Sequence, residues 1–200
     1  LLGHAHDLGL AYGCTAFDIP SAGQLGDLCV DFIKVASGSI TNDDLILAVN
    51  DTGRPSIIST GGAMPSDVKE AIRLMGIYDG HVPGVVHCTS LYPCPPDKLN
   101  LRAITTLREA FPDTVIGFSD HQDGIDMAAV AYMLGARIFE KHFTLDRAAK
   151  GTDHAMSLEP DGMARYVRTL RRIPDALGDG VKRLLPEEIP ALRKQGRREF

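Results

Sequence analysis

The chain has 200 residues, 44% hydrophobic and 24% charged, which is ordinary globular usage. That excludes a disordered chain and is long enough for one domain, or most of one, with its own core. Against 21 basic residues stand 26 acidic ones, a net charge of −5, so the basic face that nucleic acid or an anionic membrane surface needs is missing, although a local anion site is not excluded. No uninterrupted apolar run approaches the roughly 18 residues of a membrane-spanning helix.

The chain opens on Leu1-Leu2-Gly3-His4-Ala5-His6-Asp7-Leu8, without an initiator Met. This reads as the tail of a helix, and an N-terminal segment is expected to be missing. Gly9 to Phe17 reads as a strand, followed by a helix around Ser21 to Cys29. Val30 to Ala36 is a second strand and Asn42 to Asn50 a helix. Pro55 to Ser59 is a third strand. Met64 to Met75 reads as a helix capped by Ser66, with Asp67 and Glu70 in its first turns. Val82 to Cys88, Thr114 to Phe118 and Arg137 to Phe143 are further strands, alternating with helices at Leu101 to Phe111 and Ile125 to Leu134. A long helix runs from about Asp161 to Leu177, interrupted or bent near Pro174. Cys14, Cys29, Cys88 and Cys94 lack CxxC spacing and read as buried or semi-buried thiols in a reducing cytoplasm. Arg193, Lys194, Arg197 and Arg198 read as a solvated helix face or tail.

Strands alternating with helices predict a parallel sheet, either an open doubly wound sheet or a (β/α)₈ TIM barrel. Every strand ends in polar residues, and in a barrel all strand C-termini converge on one mouth. In an open sheet only those at the switch point would do so, and no GxGxxG follows any strand. A barrel lacking its first two strands fits best, because these strands alone would leave unpaired edges.

Several residues carry chemistry. His121 and His142 end successive strands, 21 residues apart, and adjacent barrel strands would bring both imidazoles to one mouth, a set that suits a divalent metal with open positions. Gly117, Ser119 and His121 share one strand parity, as do Glu140 and His142. Lys34 is the basic residue of an otherwise apolar strand; unless it snorkels outward, it needs a partner or a site. Thr15, Ser37, Ser59, Ser90 and Ser119 would ring it with hydroxyls, a cradle for a small dianion, with Gly61 and Gly62 permitting close backbone approach. Tyr92, in a stiff proline-rich turn, either lines a pocket or packs. Asp153, in a polar loop able to fold over the mouth, is suited to a sugar hydroxyl. Glu140 and Lys141 flank His142 as candidate support for a metal ligand.

Lys34-Val35-Ala36-Ser37-Gly38, Ser59-Thr60-Gly61, His87-Cys88-Thr89-Ser90-Leu91-Tyr92-Pro93, Gly117-Phe118-Ser119-Asp120-His121 and Glu140-Lys141-His142-Phe143-Thr144 occur in this order. In these motifs, from about Leu8 to Leu177, the chain resembles the sialic acid synthase family. The resemblance implies a (β/α)₈ barrel represented by its third to eighth strands, with residues 1–200 a partial synthase domain. It implies cytoplasmic condensation of phosphoenolpyruvate with an N-acetylmannosamine-like aldose, giving a nine-carbon sialic-type acid and phosphate by C–O cleavage. Thr15, Lys34, Ser37, Ser59, Ser90 and Ser119 would hold phosphoenolpyruvate, His121 and His142 would bind Mn²⁺ or Mg²⁺, and Tyr92 and Asp153 would face the acceptor sugar. Lys34, His121 and His142 would be the catalytic set. Family members also carry a second phosphoenolpyruvate-binding Lys and an acidic residue on their first two strands. A C-terminal antifreeze-like domain lends an Arg to the partner subunit in a homodimer. Neither of those strands nor that domain is expected in this chain. Ser39 stands where many members have Glu, and Ser90 where some have Asn. The competing readings are another metal-dependent barrel aldolase or 3-deoxy sugar-acid synthase, and an inactive sugar- or anion-binding fragment. A Schiff-base aldolase would need Lys34 desolvated, with no anion cradle beside it.

Overall fold

Strands and helices alternate as the sequence predicts, with every strand but β5 shorter than its apolar run implies. The structure, a computed structural model, describes residues 1–76 and 82–197. Helix α1 (Leu2–Asp7) precedes strand β1 (Gly13–Ala16). Then come α2 (Ile19–Asp27), β2 (Phe32–Val35), α3 (Asp43–Asp51), β3 (Ser56–Ser59), α4 (Pro65–Met75), β4 (Gly84–His87), α5 (Ala103–Ala110), β5 (Ile116–Asp120), α6 (Met127–Met133), β6 (Ile138–Lys141), α7 (Pro160–Leu177) and α8 (Ile189–Lys194). No helix among the described residues is long and apolar enough to cross a membrane.

Local chemistry sets the boundaries. Asn42 caps α3 by accepting the Leu45 N–H at 3.2 Å, with Asp43 and Asp44 favourably placed in the first turn. Asp18 caps α2 in the same way, so that helix starts before Ser21. Ser66 does not cap α4. Pro65 opens the helix, Ser66 lies inside its first turn, and Asp67 accepts the Met64 N–H at 2.8 Å. Gly9, at φ +70°, closes α1 by a bond to the His6 carbonyl instead of starting β1. β5 begins at Ile116 and continues to Asp120, two residues later at each end than the apolar run predicts. Helix α7 is not interrupted at Pro174. All four cysteines are free; Cys88 and Cys94 are buried and Cys14 half-buried, but Cys29 is exposed, contrary to the expectation for it.

The six strands lie in the order β1-β2-β3-β4-β5-β6, every neighbouring pair parallel. An open doubly wound sheet reverses its strand order at a switch point; this one never does. Sequential right-handed crossovers put all the connecting helices on one face. That face carries the core, where Ala16, Ile33, Val35, Ile58, Val85 and Phe118 meet α2 to α6.

The other face must therefore close on itself. Neighbouring strands are about 4.8 Å apart, so a flat sheet would separate β2 from β6 by roughly 19 Å. Instead, Lys34 Nζ on β2 lies 2.7 Å from Glu140 Oε1 on β6. The sheet curls into half a barrel with these residues in its lumen. The lumen floor alternates small and large side chains. A Cβ on Gly13 would lie 2.1 Å from the Phe32 ring, and one on Gly84 2.5 Å from Ile138 Cδ1 two strands away. Residues 171–200 form a second compact unit, comprising the last turns of α7, a 3-10 turn at Pro186–Glu188 and α8. Arg193, Lys194 and Arg197 are exposed there, and Arg198 lies outside the described residues.

Candidate active site

Strand alternation divides the barrel wall in two. Thr15, Lys34, Ile57, Ser59, Val86, Gly117, Ser119, Ile138 and Glu140 face the lumen, by register and by the packing of the intervening residues on the helices. Toward the strand N-termini, Phe32, Ile57, Val86 and Ile138 bound an apolar cavity of about 330 Å³. Lys34 and Glu140 form its polar boundary, and the chemistry begins there.

Lys34 meets the partner its apolar strand requires. Its Nζ is 2.7 Å from Glu140 Oε1, with side chains 21% and 37% exposed. Burial works to raise the Glu140 pKa, but the Lys34 charge and hydrogen bonds from Lys34 and Ser119 outweigh it, leaving the carboxyl below its usual range. Glu140 Oε2 is buried with no hydrogen-bond partner among the described residues. Thr15 stands beside Lys34 in the β1–β2 register. Ser59 Oγ is buried without a partner among the described residues. Ser37 Oγ accepts the Gly61 N–H at 2.9 Å and lies 3.1 Å from Cys88 Sγ. A Cβ on Gly61 would come within 2.1 Å of Ser90 Oγ, 2.8 Å of Ser37 Oγ and 2.9 Å of Cys88 Sγ. Glycine is thus required where three side chains converge on the backbone. Burial pushes the Cys88 thiol up, which keeps it protonated.

One level higher stand the imidazoles. The rings of His121 and His142 are 5.4 Å apart, and Tyr92 lies 4.3 Å from His121 and 5.9 Å from His142. His121 Nδ1 is 2.8 Å from the Thr89 carbonyl oxygen, which can only accept, so Nδ1 carries the proton and Nε2 the lone pair. Nε2 faces Ser119 Oγ at 3.3 Å. Burial lowers the His121 pKa, and the nearby His142 lowers it further, against the Thr89 bond; the neutral, ligating form is favoured. His142 Nδ1 lies 3.7 Å from Asp153 Oδ2. The Asp153 loop is tied down by Thr144 Oγ1, 2.7 Å from His154 Nδ1, and by Arg147, which holds the Ala155 carbonyl and, at 3.0 Å, Asp123.

Glu140, expected beside His142, is the ion-pair partner of Lys34. Lys141 turns to the opposite face, where its charge lies 3.1 Å from Asp120 Oδ2, with both side chains sealed from water at 1% and 0% exposure.

The comparisons bear on what this arrangement belongs to. The NeuB family model matches residues 1–182. The chain belongs to the NeuB family. It is 36% identical over 197 residues to N-acetylneuraminate-9-phosphate synthase of Mus musculus, covering 98% of this chain and 55% of that protein. It is likewise 36% identical over 191 residues to N,N'-diacetyllegionaminic acid synthase of Campylobacter jejuni, covering 94% of this chain and 57% of that one. The solved spore coat polysaccharide biosynthesis protein spsE of Bacillus subtilis superposes with a TM-score of 0.86 at 35% identity, over 94% of this chain and 52% of that one. A truncated 3-deoxy-D-arabino-heptulosonate 7-phosphate synthase of Thermotoga maritima superposes at 0.75 with 14% identity, over 88% of this chain and 70% of that one, a likeness of fold alone. The chain spans about half the length of the curated relatives it matches.

In this NeuB-family chain, the structure gathers Lys34, Thr15, Ser37, Ser59, Ser90, Ser119, His121, His142 and Tyr92 on the lumen and mouth of one sheet, with Asp153 at the rim. Sequence reasoning placed Gly61 at the cradle but missed Glu140 as the partner of Lys34 and Cys88 as a neighbour of Ser37 there. The available signal was parity. Glu140 shares its strand face with His142, and Cys88 shares one with Val86, two residues earlier.

Proposed function

We propose that this chain is the greater part of an eight-stranded barrel, its third to eighth strands. The full-length cytoplasmic, homodimeric enzyme condenses phosphoenolpyruvate with an N-acetylmannosamine-like aldose, giving a nine-carbon sialic-type acid and phosphate. The observation that carries this reading is the convergence, at one mouth, of a lysine ringed by hydroxyls with two imidazoles. The first suits a small ligand with carboxylate and phosphate, and the second a divalent cation.

In this reading Lys34, Thr15, Ser37, Ser59, Ser90 and Ser119 hold phosphoenolpyruvate. The incoming phosphate replaces Glu140 as the anion at Lys34 Nζ, and Glu140 becomes free to take or give a proton in the lumen. Tyr92 and Asp153 orient the acceptor sugar. C3 of phosphoenolpyruvate bonds to the aldehyde carbon, water adds at C2, and the C2–O bond to phosphate breaks. Holding both substrates in register supplies a large part of the acceleration. Two imidazoles support a metal here: the Thr89 carbonyl leaves the His121 Nε2 lone pair to a ligand bond and His142 stands across from it, while no third His, Cys, Asp or Glu joins them among the described residues. His121 and His142 would hold Mn²⁺ or Mg²⁺. When bound, the ion supplies Lewis acidity for the aldehyde oxygen and order for the water.

The test is phosphate release from phosphoenolpyruvate by the full-length protein with Mn²⁺, offered N-acetylmannosamine and its diacetylated 6-deoxy analogues. Sugar-dependent release that His121→Ala and His142→Ala each abolish is expected, and the preferred sugar names the acceptor. A folded, metal-loaded protein that releases no phosphate with any of them refutes the reading.

A further inference from the structure

The residues immediately before the two imidazoles form a pair of their own. Asp120 and Lys141 are register partners across β5 and β6, and the ladder between these strands ends at them. His121 and His142 therefore stand one residue beyond the last pairing of β5 with β6, and their carbonyls accept from Cys94 and Leu158, outside that ladder. The outer-face pair continues the register in side chains. Lys141 Nζ forms an ion pair with Asp120 Oδ2 at 3.1 Å and donates its hydrogen bond to the Gln122 carbonyl, while Asp120 Oδ1 accepts the Gln122 N–H at 2.9 Å. A single lysine, adjacent to His142, thus grips the residues on both sides of His121. Tyr166 of α7 lies close enough to feel the Asp120 charge, and its hydroxyl is buried without a partner among the described residues.

A sealed ion pair is a poor source of stability, because desolvation offsets the attraction and apolar residues of similar volume often do as well or better. Its better-attested use is to specify one geometry among several. The geometry at stake here is the offset between the two chain ends that carry the imidazoles.

We propose that Asp120 and Lys141 are positioning residues that hold His121 and His142 at the separation a shared divalent cation requires. This rests on the metal reading above, and the experiment separates the two. Asp120→Leu/Lys141→Met in the full-length protein replaces the pair with apolar groups. The metal-free melting temperature is expected to stay close to that of the unsubstituted protein. The Kd for Mn²⁺, read from free Mn²⁺ by electron paramagnetic resonance, is expected to weaken roughly 10–100-fold. A metal-free crystal structure of the variant should show the imidazoles displaced from their 5.4 Å arrangement. A folded variant whose Kd stays within about twofold overturns the proposal, since loss of such a support is felt in affinity; unmoved imidazoles overturn it equally. If the unsubstituted protein binds no Mn²⁺, the metal reading fails, and the imidazole positions alone judge the pair. If the double variant does not fold, Asp120→Asn keeps the shape while removing the charge; its Mn²⁺ affinity should fall, and unchanged affinity is likewise fatal to the proposal.

Discussion

Lys34–Glu140 and Asp120–Lys141 are both lysine–carboxylate pairs of one sheet, and they occupy opposite sides of its wall. The lumen pair joins β2 to β6 across an open cavity, with side chains 21% and 37% exposed. The outer pair joins neighbouring strands and is sealed, at 1% and 0%. Water reaches the first, so each of its partners can be exchanged for a ligand at modest cost. The second pair cannot separate without leaving a buried charge. Burial, not the identity of the charges, distinguishes a pair that can exchange its partners from one that cannot.

The largest expected effect is on stability, at the sealed pair. Lys141→Ala leaves Asp120 buried and unpaired, and should cost about 3–5 kcal/mol in urea denaturation. Lys34→Ala should cost less than about 1 kcal/mol by the same measurement, because its pair is partly solvated. Its activity should nevertheless fall about 10²–10³-fold, the usual loss for removing a charge-stabilising donor. Equal destabilisation by the two substitutions would break the comparison.

The lumen floor sharpens it. A Cβ on Gly117 would lie 2.5 Å from the Ile138 carbonyl oxygen, which is backbone, whereas one on Gly84 would meet the end of the Ile138 side chain. Gly117→Ala should therefore cost about 1–3 kcal/mol and Gly84→Ala distinctly less, because a side chain can move where a strand cannot. Thermal unfolding of both variants decides the order.

The smallest effect is in acid. The Glu140 pKa is lowered in the folded state, so its contribution to stability is complete above the unfolded value of about 4.3 and is lost as pH falls through the lower folded value. Glu140→Gln should flatten that part of the acid slope in urea midpoints measured from about pH 6 to about pH 3. Identical slopes for the two proteins would mean that Lys34 contributes nothing to holding Glu140 ionised.

Much of this was legible in the sequence. The strand–helix alternation, the shared parity of Ser119 with His121 and of Glu140 with His142, and the unusual Lys34 in an apolar strand were all local, and local periodicity reports them directly. The partner of Lys34 was not legible, because it depends on curvature accumulated over four strand spacings. Glu140 was read as an attendant of His142, its sequence neighbour, when alternation in fact gives it the lumen. Lys141 lies on the other face, where it meets Asp120 and not the imidazole. Ser66 looked like the cap of α4, but Pro65 fixed the helix start one residue earlier and left the capping to Asp67. Cys29 looked like a core thiol, but sits exposed in a left-handed turn at φ 56°.

The sequence by itself determined the order of elements, the apolar face of each strand and the residue types arriving at each strand end, because these follow from periodicity and short-range hydrogen bonding. Only the tertiary structure decided which of those residues meet. Sequential parallel pairing put α2 to α6 outside, forced the sheet to curl, and brought β2 to β6. The same closure split neighbouring charged residues between a wet lumen and a dry wall, and thereby divided exchangeable chemistry from fixed support.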